Sequence, residues 1–229
     1  MKFGESMNII YPIKKQYSNL IFNGIKPYEF RNKIPNNLNI GDIIFVYETK
    51  TTGCGKVIGY FEVAAINKID RKLSKVGTYY HMDDYARMFC DVETQNMINK
   101  AKEISVNGYN NAIVLSYLFQ DEKLDYMLKH KKLPERIFLP TKTKEYKEYN
   151  LAKEKEDKFC YECDKWLTSI GYYNRDDEST WKYEITIKNP TLFKEPIEIT
   201  KFKTKENNGE FVKVAPQGFC YTNSKVEDF

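Results

Sequence analysis

Histidine is scarce: His81 and His130 are the only two in 229 residues. Metal hydrolases and histidine-based acid–base schemes therefore have little material here, and no Ser-His-Asp arrangement can be assembled. No apolar run approaches the roughly 18 residues that a membrane-spanning helix needs, and the first residues do not form a signal peptide. The five cysteines are an odd number without the spacing of a disulfide framework. Together these features describe a soluble, reduced, intracellular protein, expected in the cytoplasm. Cys160 and Cys163 form a lone C-x-x-C, and no second pair has ligand spacing. Zinc or redox chemistry is thus weakly supported against two packing thiols, and neither metal nor cofactor is expected. The Gly-containing stretch Thr51–Lys56 (TTGCGK) lacks the G-x-x-x-x-G-K-[ST] pattern and precedes a strand rather than a helix. It reads as a hairpin loop that touches ligand at most. No internal repeat is present.

Aromatic residues and charge are abundant. Eighteen Tyr and 14 Phe exceed what an aliphatic core requires, so many rings are expected half exposed, with a polar tip or edge in water. The net charge of +4 is mild, but its distribution is uneven. Residues 1–80 carry 12 basic and 6 acidic side chains, whereas residues 81–180 sum to about −3 and residues 181–229 to about +1. A basic N-terminal region on a near-neutral remainder fits a localised anionic partner. A lysine- and asparagine-rich composition that serves only solubility remains the alternative.

The basic residues concentrate in one stretch of recognisable architecture. Asn8–Lys14 reads as a short strand, with Pro12 arguing for an edge or a bulge. Lys15–Phe22 has Tyr17, Leu20 and Ile21 at helical spacing, and Gly24 follows as a C-cap. Tyr28–Arg31 alternates Tyr28 and Phe30 against Glu29 and Arg31, giving a strand with one buried and one charged side. Asp42–Glu48 and Lys56–Ile66 are two further strands flanking the Gly-rich link. Across the middle, Asp83–Ile104 and Asn111–Lys129 read as helices. Leu133–Pro140 reads as a short extended or turn segment, Thr141–Lys158 as a solvated helix or link, and Phe159–Ile170 as a short helix. Strand character returns at Trp181–Ile187 and at Phe211–Tyr221, with the NPTLFKEP stretch between them read as a turn. The expected organisation is a discontinuous β core from residues 1–80 and 180–229, with residues 81–179 as a mostly helical insertion.

Within the core, Lys14, Lys15, Lys26, Glu29, Arg31 and Lys33 fall inside twenty positions. Lys26 follows the helix cap and precedes a strand, where a side chain can project over a cleft mouth. Arg31 suits a two-point phosphate contact, Lys26 a point charge, and Glu29 a base-amine acceptor or a general base. A structural ion network explains the same cluster equally well. Tyr11, Tyr28, Tyr47 and Tyr60 are either stacking platforms for unpaired bases or ordinary strand core. Lys56 in the hairpin and Gln217 in the APQG stretch complete the set of candidate binding residues.

These residues carry a family resemblance. Ile10, Pro12, Leu20, Ile21, Gly24, Lys26, Glu29 and Arg31, then Gly41-Asp42 and Gly59-Tyr60-Phe61-Glu62-Val63, resemble the ASCH domains of the PUA-like superfamily. Asn189, Phe193, Lys194, Pro196, Ile197 and Ala215-Pro216-Gln217 are similar to the closing strands of that family. The resemblance spans about residues 8–70 and 180–223. It implies an α+β fold, a PUA-like small β-barrel with flanking helices, here with a long helical insertion. It further implies a cleft for RNA or a nucleotide. Some relatives are ribonucleases, and a small branch are amidohydrolases acting on acylated cytidine through a Lys, a Thr three positions later and a distant Glu. The Lys falls on Lys26, but the Thr position is Glu29, so the hydroxyl is missing, and the distant Glu has no assigned position here.

Three functions follow from this reading. The first is a nucleic-acid or modified-nucleotide binder using Lys14, Lys15, Lys26, Tyr28, Arg31, Lys33, Lys56 and Gln217. The second is a metal-independent ribonuclease or nucleoside amidohydrolase in which Lys26 and Glu29 are catalytic. The third is a module that binds a protein partner, or self-associates, through residues 81–179.

Overall fold

The computed structural model describes residues 8–69, 77–106, 117–132, 144–173, 181–205 and 210–229. The chain divides into two compact units, Met1–Ser74 with Ile170–Phe229, and Lys75–Ser169. The first unit contains the strands β1 (Asn8–Ile13), β2 (Tyr28–Arg31), β3 (Ile43–Glu48), β4 (Val57–Lys68), β5 (Tyr183–Ile197) and β6 (Cys220–Thr222), with helix α1 at Lys15–Phe22. They form one six-stranded sheet in the order β2-β5-β4-β3-β1-β6. The β1–β3 pair is parallel, with α1 and β2 in the connection, and the other pairs are antiparallel.

The sheet is not flat. Strands β2 and β1 stand four places apart, about 19 Å at normal strand spacing, farther than an arginine side chain reaches. Yet Arg31 Nη2 on β2 donates a hydrogen bond to the Pro12 carbonyl on β1 at 2.9 Å. The sheet therefore curls into a half-barrel, the α+β, PUA-like architecture with flanking helices and a long helical insertion.

Alternation along the strands divides the core between the two faces. Ile9, Tyr11 and Ile13 on β1, Ile44 and Val46 on β3, and Phe61 and Val63 on β4 pack together with Ile21 of α1 and Leu38. The opposite residues Ile10, Phe45, Tyr47 and Val57 pack under Ile199, Phe202 and Val212 of the C-terminal segment. Because β1 and β3 are covered on both faces, their sequences read as nearly continuous apolar runs. Each fully buried ring or branched side chain contributes about 1.5–3 kcal/mol of transfer free energy.

Three of the strand expectations change in the structure. Pro12 lies inside the sheet rather than on an outer strand, but β6 pairs only with Asn8–Ile10, so the side of β1 at Pro12 has no β6 partner. The NPTLFKEP stretch is part of the 15-residue strand β5 rather than a turn. Asn189 takes a left-handed φ of 50°, a region that asparagine tolerates, and register shifts absorb the irregularity. Only Tyr183–Thr186 pair with β2. Pro190 and Pro196 therefore lie where β5 has lost that neighbour and prolines are tolerated. At the C-terminal end, Phe211 makes only an isolated bridge to Lys203, and regular strand is confined to β6.

The second unit contains α2 (Gly77–Phe89), α3 (Val92–Val106), α4 (Asp121–His130) and α5 (Lys144–Ser169). Met82, Ala86, Ile98, Ala101, Ile104, Leu118, Leu124, Met127 and Phe159 form its core. The expected link and short helix between Thr141 and Ile170 are one 26-residue helix, α5. No Gly or Pro interrupts it, and Phe159, Cys163, Trp166 and Leu167 anchor its last turns by burial. The readings at Leu133–Pro140 and Asn111–Leu115 lie outside the described residues. Among the described residues, no helix is long and apolar enough to cross a membrane.

Candidate functional site

A helix terminus positions the central lysine. Gly24 adopts φ 73°, its N–H donates to the Ile21 carbonyl, and the Ile25 N–H reaches back to the Leu20 carbonyl. This Schellman closure is favourable at glycine, which has no Cβ to oppose a left-handed backbone. The Lys26 N–H also donates to Leu20 O, which fixes the lysine immediately before Pro27 and β2.

Lys26 does not project over an open mouth. It is 2% exposed, and its Nζ donates to the Ile170 carbonyl at 2.7 Å. The ammonium lies 4.4 Å from the Phe30 ring centroid and 5.4 Å from that of Tyr17, and 3.7 Å from Glu29 Oε2. Burial pushes its pKa down to about 8, while the Glu29 carboxylate opposes that shift. The sequence placed this lysine by its position in the chain, but the aromatic walls come from residues on both sides of it.

Glu29 is also buried, and its Oε1 is 2.9 Å from Arg31 Nε. That contact is a close ion pair whose angle falls outside an aligned N–H hydrogen bond. Arg31 then spans to Pro12, with its guanidinium carbon 4.5 Å from the centroid of the Tyr11 ring. The Tyr11 hydroxyl is buried without a hydrogen-bond partner among the described residues. Burial raises the Tyr11 pKa, Arg31 lowers it, and Glu29 raises it further. Glu184 on β5, opposite Phe30, is near enough to favour the charged form of Lys26, and it accepts a hydrogen bond from Asn67 Nδ2 at 3.2 Å.

The structure thus brings together Lys26, Glu29 and Arg31 from the set expected to form a site, and adds Tyr11, Tyr17, Glu184 and the Ile170 carbonyl. Ile170 O is 144 residues from Lys26 and carries no sequence signal. Lys14, Lys15, Lys33 and Gln217 are exposed. Lys56 pairs with Glu198 at 2.8 Å in a solvent-exposed contact, a type worth at most about 1 kcal/mol. Tyr11, Tyr28 and Tyr47 are core residues, not open stacking platforms, because strand alternation turns them inward. Tyr28 packs against Phe30 with ring centroids 6.2 Å apart. Tyr60 is only partly buried and packs on Phe45 and Phe193.

The hairpin between β3 and β4 is closed by Glu48 N–H to Lys56 O. Glu48 is buried, and its carboxylate accepts from Ser18 Oγ at 2.8 Å and from the Cys54 N–H at 3.2 Å. The loop folds around this carboxylate and leaves little to a phosphate. All five cysteines are free thiols, and burial pushes Cys160 up to about 12 and Cys163 higher still. No group of three or more His, Cys, Asp or Glu able to hold a metal ion occurs among the described residues.

No curated protein matches the chain. Among solved structures, an ASCH protein from Zymomonas mobilis aligns over 96% of this chain and 90% of its own, at 12% identity and a TM-score of 0.41. A tyrosine-to-phenylalanine variant of that protein aligns over 93% and 87%, at 12% identity and a TM-score of 0.39. The model of the ASCH domain matches residues 12–168, more than half of the sequence and including Lys26, Glu29 and Arg31, and the chain belongs to the ASCH domain family.

Proposed function

We propose that the protein binds RNA, another single-stranded nucleic acid or a modified nucleotide at the seam of the half-barrel where β2 closes toward β1. Family membership supports a nucleic-acid-binding role in general. The observation that carries the finer reading is the anchored guanidinium of Arg31. It is held by Pro12 O and Glu29, backed by Tyr11, and retains 18% side-chain exposure. Exposed Lys14 lies two residues beyond the Pro12 anchor, and exposed Lys33 two residues beyond Arg31. These lysines can neutralise phosphates while the fixed Arg31 edge contacts one phosphate or base edge.

Binding of a labelled single-stranded RNA, measured across a salt series, tests this reading. A Lys14→Ala, Lys33→Ala double variant is expected to weaken binding and to flatten the log–log salt slope by roughly 0.7 per lost phosphate contact. An unchanged slope would refute it.

A second reading is favoured by the state of Lys26. A buried amine with a pKa near 8 beside a carboxylate can exchange a proton close to neutral pH. In that reading Lys26 and Glu29 perform metal-independent acid–base chemistry on a nucleic-acid or nucleoside substrate. Mass analysis of products from RNA, single-stranded DNA and acylated nucleosides, with Lys26→Ala alongside, would detect it.

A further inference from the structure

Helix α4 presents a stripe of alternating cationic and aromatic side chains. Lys123, Tyr126 and His130 fall at i, i+3 and i+7 along Asp121–His130, on one side of the helix. The buried Leu124 and Met127 lie on the adjoining face, about a quarter turn away. The Tyr126 and His130 rings lie 4.5 Å apart between centroids and are tilted by 35°. Beyond the helix, Lys131 takes a left-handed φ of 52°, at a position where glycine or asparagine is usual. The following Lys132 sits with its Nζ 6.0 Å over the Tyr126 ring. Lys123 lies over both Tyr117 and Tyr149, at 5.2 and 5.5 Å.

The lysines at the end of this edge are not neutralised by carboxylates of the described residues. Asp121 and Asp125 both pair with Lys100 of α3, which leaves Glu122 as the other acid of the helix. Lys129, Lys131 and Lys132 are exposed and pair with no carboxylate among the described residues. Lys129 and His130 complement the helix dipole, but Lys131 and Lys132 lie past the last helical residue. The edge is locally cationic although the unit as a whole is not.

We propose that this edge of α4 is a contact surface for single-stranded nucleic acid, with a base stacked on the Tyr126–His130 pair and phosphates against Lys129, Lys131 and Lys132. Duplexes fit it less well because their bases are already stacked, whereas an unpaired base presents a free face to an aromatic ring. An acidic peptide would answer the lysines but not the half-buried Tyr126 and exposed His130 rings. This surface lies in the helical unit and is distinct from the Arg31 seam.

The test uses the full chain and a 4-thiouridine-bearing single-stranded RNA of about 12 nucleotides. Photo-crosslinked peptides are mapped by mass spectrometry, and a salt series is run in parallel. Crosslinks are expected within residues 121–132. The triple variant Lys129→Ala, Lys131→Ala, Lys132→Ala is expected to keep its melting temperature and to lower the salt slope by roughly two units. Tyr126→Phe should bind as wild type, while Tyr126→Ala should lose roughly 5- to 160-fold in affinity.

Crosslinks confined to residues 8–33, or a triple variant with unchanged affinity and slope, overturn this proposal and leave the seam reading standing. Crosslinks confined to residues 121–132 do the reverse. Equal competition by polyglutamate at this edge overturns it in favour of an acidic protein partner. Absence of any binding overturns both.

Discussion

Replacing Lys26 by methionine should change how the stability of the β unit depends on pH. The buried ammonium has its pKa lowered from 10.5 to about 8, chiefly by desolvation. Below pH 8 the folded and unfolded chains both hold this proton, and the contribution is constant. Between pH 8 and 10.5 only the unfolded chain holds it, so stability rises with pH through this window. Above 10.5 neither state holds it, and the contribution is again flat. At 1.36 kcal/mol per unit, the rise is about 3 kcal/mol. Methionine cannot titrate, so the wild type should gain this amount relative to Lys26→Met as pH goes from 7.5 to 10.5.

At neutral pH two effects of the substitution oppose each other. Losing the donor to Ile170 O costs about 1–3 kcal/mol, while losing the buried charge returns a similar amount, so the two proteins should be nearly equally stable. Urea unfolding measures the difference. With a slope of roughly 2–3 kcal/mol per molar, the midpoints should separate by about 1 M at high pH. Trp181 donates its indole N–H to Gly171 O within the β unit, and Trp166 is the other tryptophan. A Trp166→Phe background therefore makes fluorescence report on the unit that holds Lys26. A wild-type-minus-variant difference that stays flat or falls between pH 8 and 10.5 would show that the amine is hydrated and would remove the basis for the acid–base reading.

Two further perturbations test the frame of the site. Arg31→Ala should destabilise the β unit by about 2–4 kcal/mol, because it removes the link to Pro12 and leaves the buried Glu29 with only the longer Lys26 contact. Equal urea midpoints for variant and wild type would sink that account. Gly59→Ala should cost about 1–3 kcal/mol, since an added Cβ would collide with the Thr191 carbonyl and come within 2.9 Å of the Phe22 ring. An unchanged melting temperature would mean that β5 can retreat from β4 without loss.

The β core was legible in sequence because its signals are local. The 28–31 alternation, the Gly24 cap and the β-branched run at 43–48 each follow from neighbouring residues, and the strands form there. Strand β5 was read too short because Asn189, Pro190 and Pro196 are turn residues by local chemistry. Only the missing β2 partner beyond Thr186 shows why a strand accepts them. The 26-residue helix α5 was read as two pieces because its first half is dense in alternating Lys and Glu, and its continuity lies in the absence of any breaker. In the site, the Lys26, Glu29 and Arg31 grouping follows from spacing, but their burial does not. It depends on the curl of the sheet and on Ile170 arriving from far along the chain. The tyrosines were ambiguous for the same reason, since ring exposure is decided by the opposite face and not by the ring.

The burial of the cluster reassigns roles among its cations. A surface that neutralises phosphate needs charges still available to solvent, and Lys26 has already placed its ammonium against Ile170 O, two rings and Glu29. In the proposed binder its contribution would therefore be indirect: with Glu29 it fixes the Arg31 guanidinium, and the exposed Lys14, Lys15 and Lys33 are the cations left to meet a polyanion. Proton transfer requires the opposite features, a desolvated amine near neutrality with a carboxylate beside it, and Lys26 and Glu29 have them. The two functions thus load different residues of one stretch. Lys14→Ala, Lys33→Ala should reduce the salt-dependent affinity of a binder with little effect on a chemical step, whereas Lys26→Met should abolish turnover while leaving the salt slope in place. Loss of the slope on changing Lys26 alone would show that the buried amine emerges to meet the nucleic acid, a rearrangement that removes it from Ile170 and opens the cluster to water.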